Sequence, residues 1–281
     1  MSDPAIDAAF GARATVSPAE FERVMTAYRD RSAEAVRTLS GTADIAFDPG
    51  SDERLDVWGT GPHLRPVVIA LHGGYWRMLS RHDTAFMAGV LAEAGIATVV
   101  PDYTLAPAAT LEEIVRQVRA AVAWVWREGP LYGLDHSRIH LVGSSAGGHL
   151  AAMAAVAGWQ GGVGLPDDVV RGFLGLSGLY DVRPLVDSFA NEWLALDRPR
   201  AAALSPLLAT PSTARAIVAE AEHEASGFHE VADAFAAHWS PRAPSRRLVV
   251  PDRHHFDVFL DLAEPDSVLS RALIDLVLGQ P

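Results

Sequence analysis

Short apolar runs alternate along the chain with longer segments in which apolar residues recur at helical spacing. Short runs bounded by turn residues are typical of buried strands, and longer amphipathic segments are typical of helices. The pattern predicts strands at 55–58, 67–71, 96–100, 139–142, 173–176, 216–219 and 248–250. It predicts helices at 18–39, 86–94, 111–126 and 149–157. This alternation indicates an α/β architecture, with a mostly parallel central sheet and helices on both of its faces.

The first 41 residues precede the alternating pattern and form a helical N-terminal lead-in. Ser17-Pro18 is a typical helix start, and the apolar residues that follow it keep helical spacing. No repeat or long linker divides the chain, so we predict one domain over residues 1–281. A proline-containing stretch interrupts the pattern and predicts a small cap around 185–212.

Composition narrows the classes of function. The chain of 281 residues has a formal net charge of −12, which disfavours nucleic-acid partners, because phosphate contacts need clustered basic side chains. It contains no cysteine, so disulfides and cysteine nucleophiles are excluded. No apolar run approaches the ~20 residues of a membrane-spanning helix, and the acidic start does not resemble a secretory signal. We therefore expect a cytoplasmic protein that does not bind membranes.

The clearest chemical motif lies between a predicted strand and a predicted helix. Residues 139–142 lead into Gly143-Ser144-Ser145-Ala146-Gly147, which is a Gly-x-Ser-x-Gly sequence. In a strand–turn–helix context this motif holds the central serine on a sharp turn at the edge of the sheet, with the positive end of the following helix aimed at it. The sequence therefore predicts Ser145 as a catalytic nucleophile.

A glycine-rich loop follows the strand at 67–71 and reads His72-Gly73-Gly74-Tyr75-Trp76. Glycines let the backbone approach a substrate carbonyl and present N–H groups to a developing oxyanion. We predict an oxyanion hole with donors from Gly74, Tyr75 and Ala146 and with Gly73 shaping the loop.

The side chains of the same loop are expected to have different roles. We expect His72 to pack within the loop rather than to act as an acid or base. Tyr75 and Trp76 are placed to form walls of a substrate pocket, although core packing is the alternative for both aromatic rings.

A histidine near the C-terminus is the predicted general base. The strand at 248–250 is followed by a short loop that contains His254 and His255, and a histidine there can reach a serine at the same sheet edge. We predict His255, with His254 as the alternative. None of the remaining histidines has a convincing metal-ligand spacing, so we expect no metal or other cofactor.

The acid that orients this histidine has several candidates. It is expected between the serine and the histidine along the chain. The strand at 216–219 precedes a cluster of glutamates, and an aspartate follows the strand at 173–176. The candidates are Glu220, Glu222, Glu224 and Asp181.

Together these segments resemble the α/β-hydrolase type of kynurenine formamidase (arylformamidase), within the hormone-sensitive-lipase-like esterase group. The resemblance spans about residues 50 to 270, and the Trp-bearing oxyanion loop is its most family-specific part. The matching segments are 72–76, 101–107, 143–149, 177–181, 205–206 and 254–257.

The resemblance implies an α/β-hydrolase fold and a choice among the acids. Relatives carry a glycine-containing turn before the acid and an acidic residue before a phenylalanine, whereas this chain has Ala221 and Gly227 at those positions. Alignment on Phe228 places Glu224 at the acid position.

The resemblance also implies the reaction. It indicates a serine hydrolase of tryptophan catabolism that cleaves an N-formyl arylamine of the N-formylkynurenine type, without a cofactor and as a homodimer. A carboxylesterase for small acyl esters is the first alternative. A non-catalytic binding protein on the same fold is the second, although such proteins usually lack the serine or the histidine.

Overall fold

An eight-stranded sheet forms the centre of the protein. The computed structural model describes residues 2–279. The domain predicted over residues 1–281 also includes Met1, Gln280 and Pro281, which lie outside the described residues. The strands are β1 (Gly41–Ala46), β2 (Arg54–Trp58), β3 (Arg65–Leu71), β4 (Ala97–Pro101), β5 (Leu134–Ser144), β6 (Val170–Leu176), β7 (Arg215–His223) and β8 (Ser245–His254). Their order is β1-β2-β4-β3-β5-β6-β7-β8. Only β2 is antiparallel to both of its neighbours, and the pairs from β4 to β8 are parallel.

Helices cover both faces of this sheet. They are α1 (Pro4–Phe10), α2 (Pro18–Val36), α3 (Ala88–Glu93), α4 (Leu111–Glu128), α5 (Ala146–Ala155), α6 (Asn191–Leu194), α7 (Arg198–Ala203), α8 (Ser226–Trp239) and α9 (Val268–Leu278). Val67 and Ile69 of β3 belong to the core that contains α4, α5 and α8, whereas Val68 and Ala70 belong to the core that contains α2, α3 and α9. Successive strand residues point to opposite faces, so one buried strand supplies both cores.

All the strands and helices predicted from the apolar pattern are present, with shifted ends. The observed β5 begins at Leu134 rather than at 139, because its first part is polar and only half-buried. The pattern does not predict β1, whose residues are exposed except for Ile45. The helices α1, α8 and α9 are further elements beyond the prediction. The mostly parallel sheet with helices on both faces is confirmed.

The N-terminal lead-in lies over the edge of the sheet at which the parallel strands end. The Ser17 hydroxyl caps α2 by accepting the Glu20 N–H, which fixes the helix start. The Tyr28 hydroxyl of this helix donates to the Phe256 carbonyl at 2.7 Å. The lead-in therefore contacts the loop that follows β8.

The segment predicted as a small cap consists of short helical turns. It contains α6, α7 and two 3-10 turns at Pro184–Asp187 and Pro206–Leu208. The Asp7 side chain of α1 accepts the Phe189 N–H at 2.7 Å, which joins this segment to the lead-in. Among the described residues, no helix combines the length and apolar character that crossing a membrane requires.

Candidate active site

Ser145 lies on the turn between β5 and α5, as the sequence predicts. Its backbone is in a strained conformation, with φ 56° and ψ −118°. The turn is too crowded for larger neighbours: a Cβ on Gly143 would lie 2.2 Å from the Gly147 carbonyl oxygen, and a Cβ on Gly147 would lie 2.1 Å from that of Leu71. The Ser145 N–H donates to the Leu176 carbonyl at 2.8 Å, which ties the turn to β6. Steric crowding at the turn thus explains why both of these motif positions are glycine.

His255 and Glu224 form a buried pair beside this turn. The Nδ1 atom of His255 lies 2.7 Å from Glu224 Oε2, and the two side chains are 4% and 0% exposed. The Ser177 hydroxyl donates to the other carboxylate oxygen of Glu224. This contact was not foreseen from the sequence, although Ser177 was part of the family-like segment 177–181. The three side chains form a hydrogen-bonded series that ends at His255.

The charge of Glu224 is stabilised in spite of its burial. Burial raises the pKa of this carboxyl group, but the charge of His255 and the hydrogen bonds from His255 and Ser177 outweigh it. The resulting pKa of Glu224 lies below its ordinary value. A carboxylate held ionised against an imidazole nitrogen fixes the orientation of the ring.

The other three candidate acids have different partners. Glu220 is buried and lies 2.6 Å from Arg247. Glu222 is exposed and accepts a backbone N–H at 2.9 Å. Asp181 pairs with Arg183 at 2.6 Å. Of the four candidates, Glu224 is the one that contacts His255.

The alternative histidine faces away from this pair. His254 Nε2 lies 3.1 Å from a Glu20 oxygen, and its Nδ1 lies 3.4 Å from Asp257. These three residues form one of two described groups whose potential ligand atoms lie within 4.8 Å of one another. The other group is Glu222, His223 and Asp252, which are exposed. Neither group includes Ser145, His255 or Glu224.

The glycine loop after β3 lies against the serine turn. A Cβ on Gly73 would lie 2.8 Å from the Ser144 carbonyl oxygen, so only glycine allows this approach. Gly74 and Tyr75 have φ angles of 90° and 50°. Within residues 2–279, the N–H groups of Gly74, Tyr75 and Ala146 donate no backbone hydrogen bond. The loop and the turn thus bring three unused donors close to Ser145, as a predicted oxyanion hole requires.

His72 packs inside the loop, in agreement with its prediction. Its ring is fully buried and stacks on Tyr103, with 4.0 Å between the centroids and 13° between the planes. Burial lowers the pKa of His72 and favours the neutral ring. The Tyr103 hydroxyl donates to the His72 carbonyl at 2.9 Å and also contacts that of Gly73. Both aromatic rings therefore support the loop backbone.

The prediction that Trp76 forms a pocket wall is wrong. Its side chain is fully buried, and its ring lies edge-on to His149 with 5.0 Å between the centroids. The loop passes through positive φ angles at Gly74, Tyr75 and Trp76, and this turn leaves Tyr75 at the pocket and Trp76 in the core. Trp76 supports the site from behind.

A cavity of about 370 Å³ lies above Ser145 and His255. Aromatic rings dominate its lining, which suits an aromatic ligand. The contribution of the N-terminal lead-in was not foreseen, since nothing in its helical spacing indicates which helix faces a site. The lining side chains from the lead-in are Ala12, Arg13, Phe21, Met25 and Tyr28. The other aromatic lining residues are Tyr75, Phe189, Trp193, Phe256 and Phe259.

Solved structures with the same fold are esterases and related proteins. A putative thioesterase from Silicibacter sp. TM1040 superposes with a TM-score of 0.79 and 24% identity, covering 91% of this chain and 93% of that one. An esterase from Pyrobaculum calidifontis superposes with a TM-score of 0.73 and 19% identity, covering 91% and 92%. These similarities establish the α/β-hydrolase fold.

Sequence comparison identifies the family. The BD-FAE family model matches residues 59–171. Kynurenine formamidase from Danio rerio is 28% identical over 256 residues. Kynurenine formamidase from Salmo salar is 32% identical over 256 residues, which cover 87% of this chain and 85% of that protein. With this similarity and a hydrolase fold, the chain belongs to the kynurenine formamidase family of α/β-hydrolases.

Proposed function

We propose that this enzyme hydrolyses an N-formyl arylamine of the N-formylkynurenine type to formate and the free arylamine. The observation that carries the proposal is the series from Ser177 through Glu224 to His255, which ends at the cavity containing Ser145. Such a series supplies a general base beside a nucleophile. The similarity to kynurenine formamidases supports the choice of substrate.

In the first half of the reaction, Ser145 is the nucleophile and His255 the base. The Ser145 oxygen attacks the formyl carbon while His255 takes the hydroxyl proton, and Glu224 stabilises the imidazolium that forms. The former carbonyl oxygen, which now carries a negative charge, accepts hydrogen bonds from the N–H groups of Gly74, Tyr75 and Ala146.

Collapse of this intermediate breaks the carbon–nitrogen bond. His255 gives its proton to the departing aniline nitrogen, which leaves as the neutral arylamine, and the formyl group remains on Ser145 as an ester. A water molecule then attacks this ester with His255 again as base. The second collapse returns the proton to the serine oxygen and releases formate.

The dimensions of the site favour a small acyl group. Gly73 lies so close to the turn that an added Cβ would be 3.4 Å from Ser145 Cβ. The Tyr75 hydroxyl donates to the Phe10 carbonyl, which fixes its ring at the cavity. A formyl group needs little room beside this loop, and the aromatic lining provides contacts for the aryl leaving group.

A comparison of two substrates tests the proposal. The purified protein should release formate from N-formylkynurenine, and Ser145→Ala should abolish the release and prevent labelling by a fluorophosphonate probe. Turnover of p-nitrophenyl acetate without turnover of the formamide would refute the formamidase proposal. A folded protein that hydrolyses neither substrate and is not labelled by the probe would indicate a binding protein instead.

A carboxylesterase for small acyl esters is the second candidate. The esterase LipQ of Mycobacterium tuberculosis is 33% identical over 156 residues, which cover 52% of this chain and 37% of that protein. The same nucleophile and oxyanion donors would serve an ester, because only the leaving group differs. A higher kcat/KM for short acyl esters than for any aryl formamide would favour this candidate.

We further propose a cytoplasmic location, a role in tryptophan catabolism and a homodimer. The cysteine-free composition suits a reducing compartment, and the substrate class indicates the metabolic role. Cell fractionation and light scattering of the purified protein would test the location and the oligomeric state.

A further inference from the structure

Two arginines are the permanently charged residues that line the cavity. The lining includes Arg13 and Arg77 but no aspartate or glutamate side chain among the described residues. This is notable in a chain with a formal net charge of −12. Glu224 lies behind His255 and does not line the cavity. The cavity is therefore suited to a ligand that carries a negative charge.

The side chain of Arg77 has no polar partner within residues 2–279, in contrast to that of Arg81. Arg81 pairs with the three aspartates Asp44, Asp56 and Asp102. The Arg77 side chain makes neither a hydrogen bond nor an ion pair within residues 2–279, and its described contact is with an aromatic ring. Its Cζ atom lies 4.3 Å from the centroid of Trp193.

This contact positions the guanidinium group without using its donors. A guanidinium group that lies over an aromatic ring contacts it through its face, and the N–H groups in its plane remain free. Trp193 is itself held in place, because its Nε1 donates to the Tyr75 carbonyl at 3.0 Å. Arg77, Trp193 and the oxyanion loop therefore form one connected unit.

We propose that Arg77 binds a carboxylate of the substrate and so makes the enzyme selective for aryl formamides that bear a carboxylate. The inference rests on the proposed function of the same site. A carboxylate accepts two parallel hydrogen bonds from a guanidinium group, which fixes its orientation as well as its position. The aryl ring would then contact the aromatic lining, and the formyl group would lie at Ser145.

The position of Arg77 in the chain couples this binding to catalysis. Arg77 is two residues after Tyr75, and its N–H donates to the Gly74 carbonyl at 3.0 Å within the same turn. The side chain that binds the carboxylate and the N–H groups proposed for the oxyanion are thus carried by one short loop. A bound carboxylate would set the distance from the anion to the reacting carbonyl.

The test compares Arg77→Gln with the unaltered enzyme on two matched substrates, N-formylkynurenine and its carboxamide. The variant should lose about tenfold to hundredfold in kcat/KM for the carboxylate substrate, mainly through KM, because a charge-assisted hydrogen bond is removed. Its kcat/KM for the carboxamide, which lacks the carboxylate, should stay within about twofold. Equal losses on both substrates, or no loss on the carboxylate, would overturn the proposal.

Two further variants separate a specific contact from general charge. Arg29→Gln removes an exposed arginine of α2 that does not line the cavity, and it should leave both substrates unaffected. Arg13 lines the cavity, but its Nη1 donates to the Val16 carbonyl at 3.1 Å. Arg13→Gln should therefore change the selectivity less than Arg77→Gln. An equal change would assign the selectivity to the overall positive charge and overturn the role of Arg77.

A second substrate pair distinguishes this inference from the proposed function. If the unaltered enzyme hydrolyses neither formamide, the formamidase proposal fails. The role of Arg77 is then decided with a carboxylate-bearing aryl acetate and its carboxamide. A selective loss of the anionic ester in Arg77→Gln would support the carboxylate site, and an unchanged ratio would refute it.

Discussion

Replacing Glu224 with glutamine removes the negative charge beside His255 while it keeps the size of the side chain. The carboxylate oxygen lies 2.7 Å from His255 Nδ1, and the Glu224 side chain is fully buried. Glutamine retains an oxygen that can accept from Ser177, but its amide can donate to Nδ1 and hold the wrong tautomer of the ring. The variant therefore tests the charge and the tautomer with little change in packing.

The expected loss follows from the geometry. Two unit charges at about 2.7–4 Å, with an effective dielectric constant of about 20, interact with about 4 to 6 kcal/mol. At about 1.4 kcal/mol for each factor of ten, this predicts a thousandfold to ten-thousandfold fall in kcat. The loss is expected in kcat because the imidazolium exists in the transition state and not in the resting enzyme.

Single-turnover kinetics on the formamide and the rate of fluorophosphonate labelling would measure this loss. Glu222→Gln is the matched control, because Glu222 is two residues away, exposed, and bonded to a backbone N–H that glutamine can still accept. The control should keep kcat within about twofold. A Glu224→Gln enzyme within tenfold of the unaltered kcat, or a control that loses as much, would refute the assignment of Glu224 as the acid.

Three other changes have defined outcomes. Ser177→Ala removes the hydroxyl donor to Glu224, and urea denaturation should show a free energy of unfolding lower by about 1.5–3 kcal/mol. Gly147→Ala places a Cβ 2.1 Å from a carbonyl oxygen of β3 and should lower the free energy of unfolding by about 1–3 kcal/mol or more. Gly89→Ala in α3 is the control, because the space around Gly89 is open and the added Cβ should not lower stability. Equal melting temperatures for these two variants would contradict this reasoning. Burial lowers the pKa of His140 from 6.5 to about 4. The unfolded chain therefore takes up the proton first, and stability present above pH 6.5 should be lost as the pH falls toward 4. The loss at pH 5 should be about 2 kcal/mol, and it should be absent in His140→Gln.

The sequence alone was sufficient to predict a structural feature where the local residue pattern is compatible with only one conformation. Gly143 and Gly147 on either side of Ser145 predict the sharp turn, because the backbone around the two glycines leaves no room for a Cβ. Apolar runs such as 67–71 predict strands because a parallel sheet buries both of their faces. The choice of Glu224 was different, since the residues alone left four acids and the family alignment selected one.

The sequence was insufficient where a side chain's direction depends on distant parts of the chain. Trp76 and Tyr75 are adjacent aromatic residues, yet one is buried in the core and the other lines the cavity. Nothing in their local pattern separates them, because the difference comes from consecutive positive φ angles. Phe21 reaches the cavity because α2 packs near the loop after β8, with its ring 5.1 Å from that of Phe256.

One positional rule connects the residues of the site. Ser145, Ser177, Glu224 and His255 are each the first residue after a parallel strand, namely β5, β6, β7 and β8. The carboxyl ends of parallel strands meet at one edge of the sheet, so these four side chains converge although 110 positions separate the first from the last. Applied to the strand predicted at 173–176, the same rule points to Ser177, which is neither an acid nor a base. Polar residues that directly follow buried parallel strands therefore merit attention even when they cannot act as acids or bases, because the hydroxyl donor to Glu224 occupies such a position.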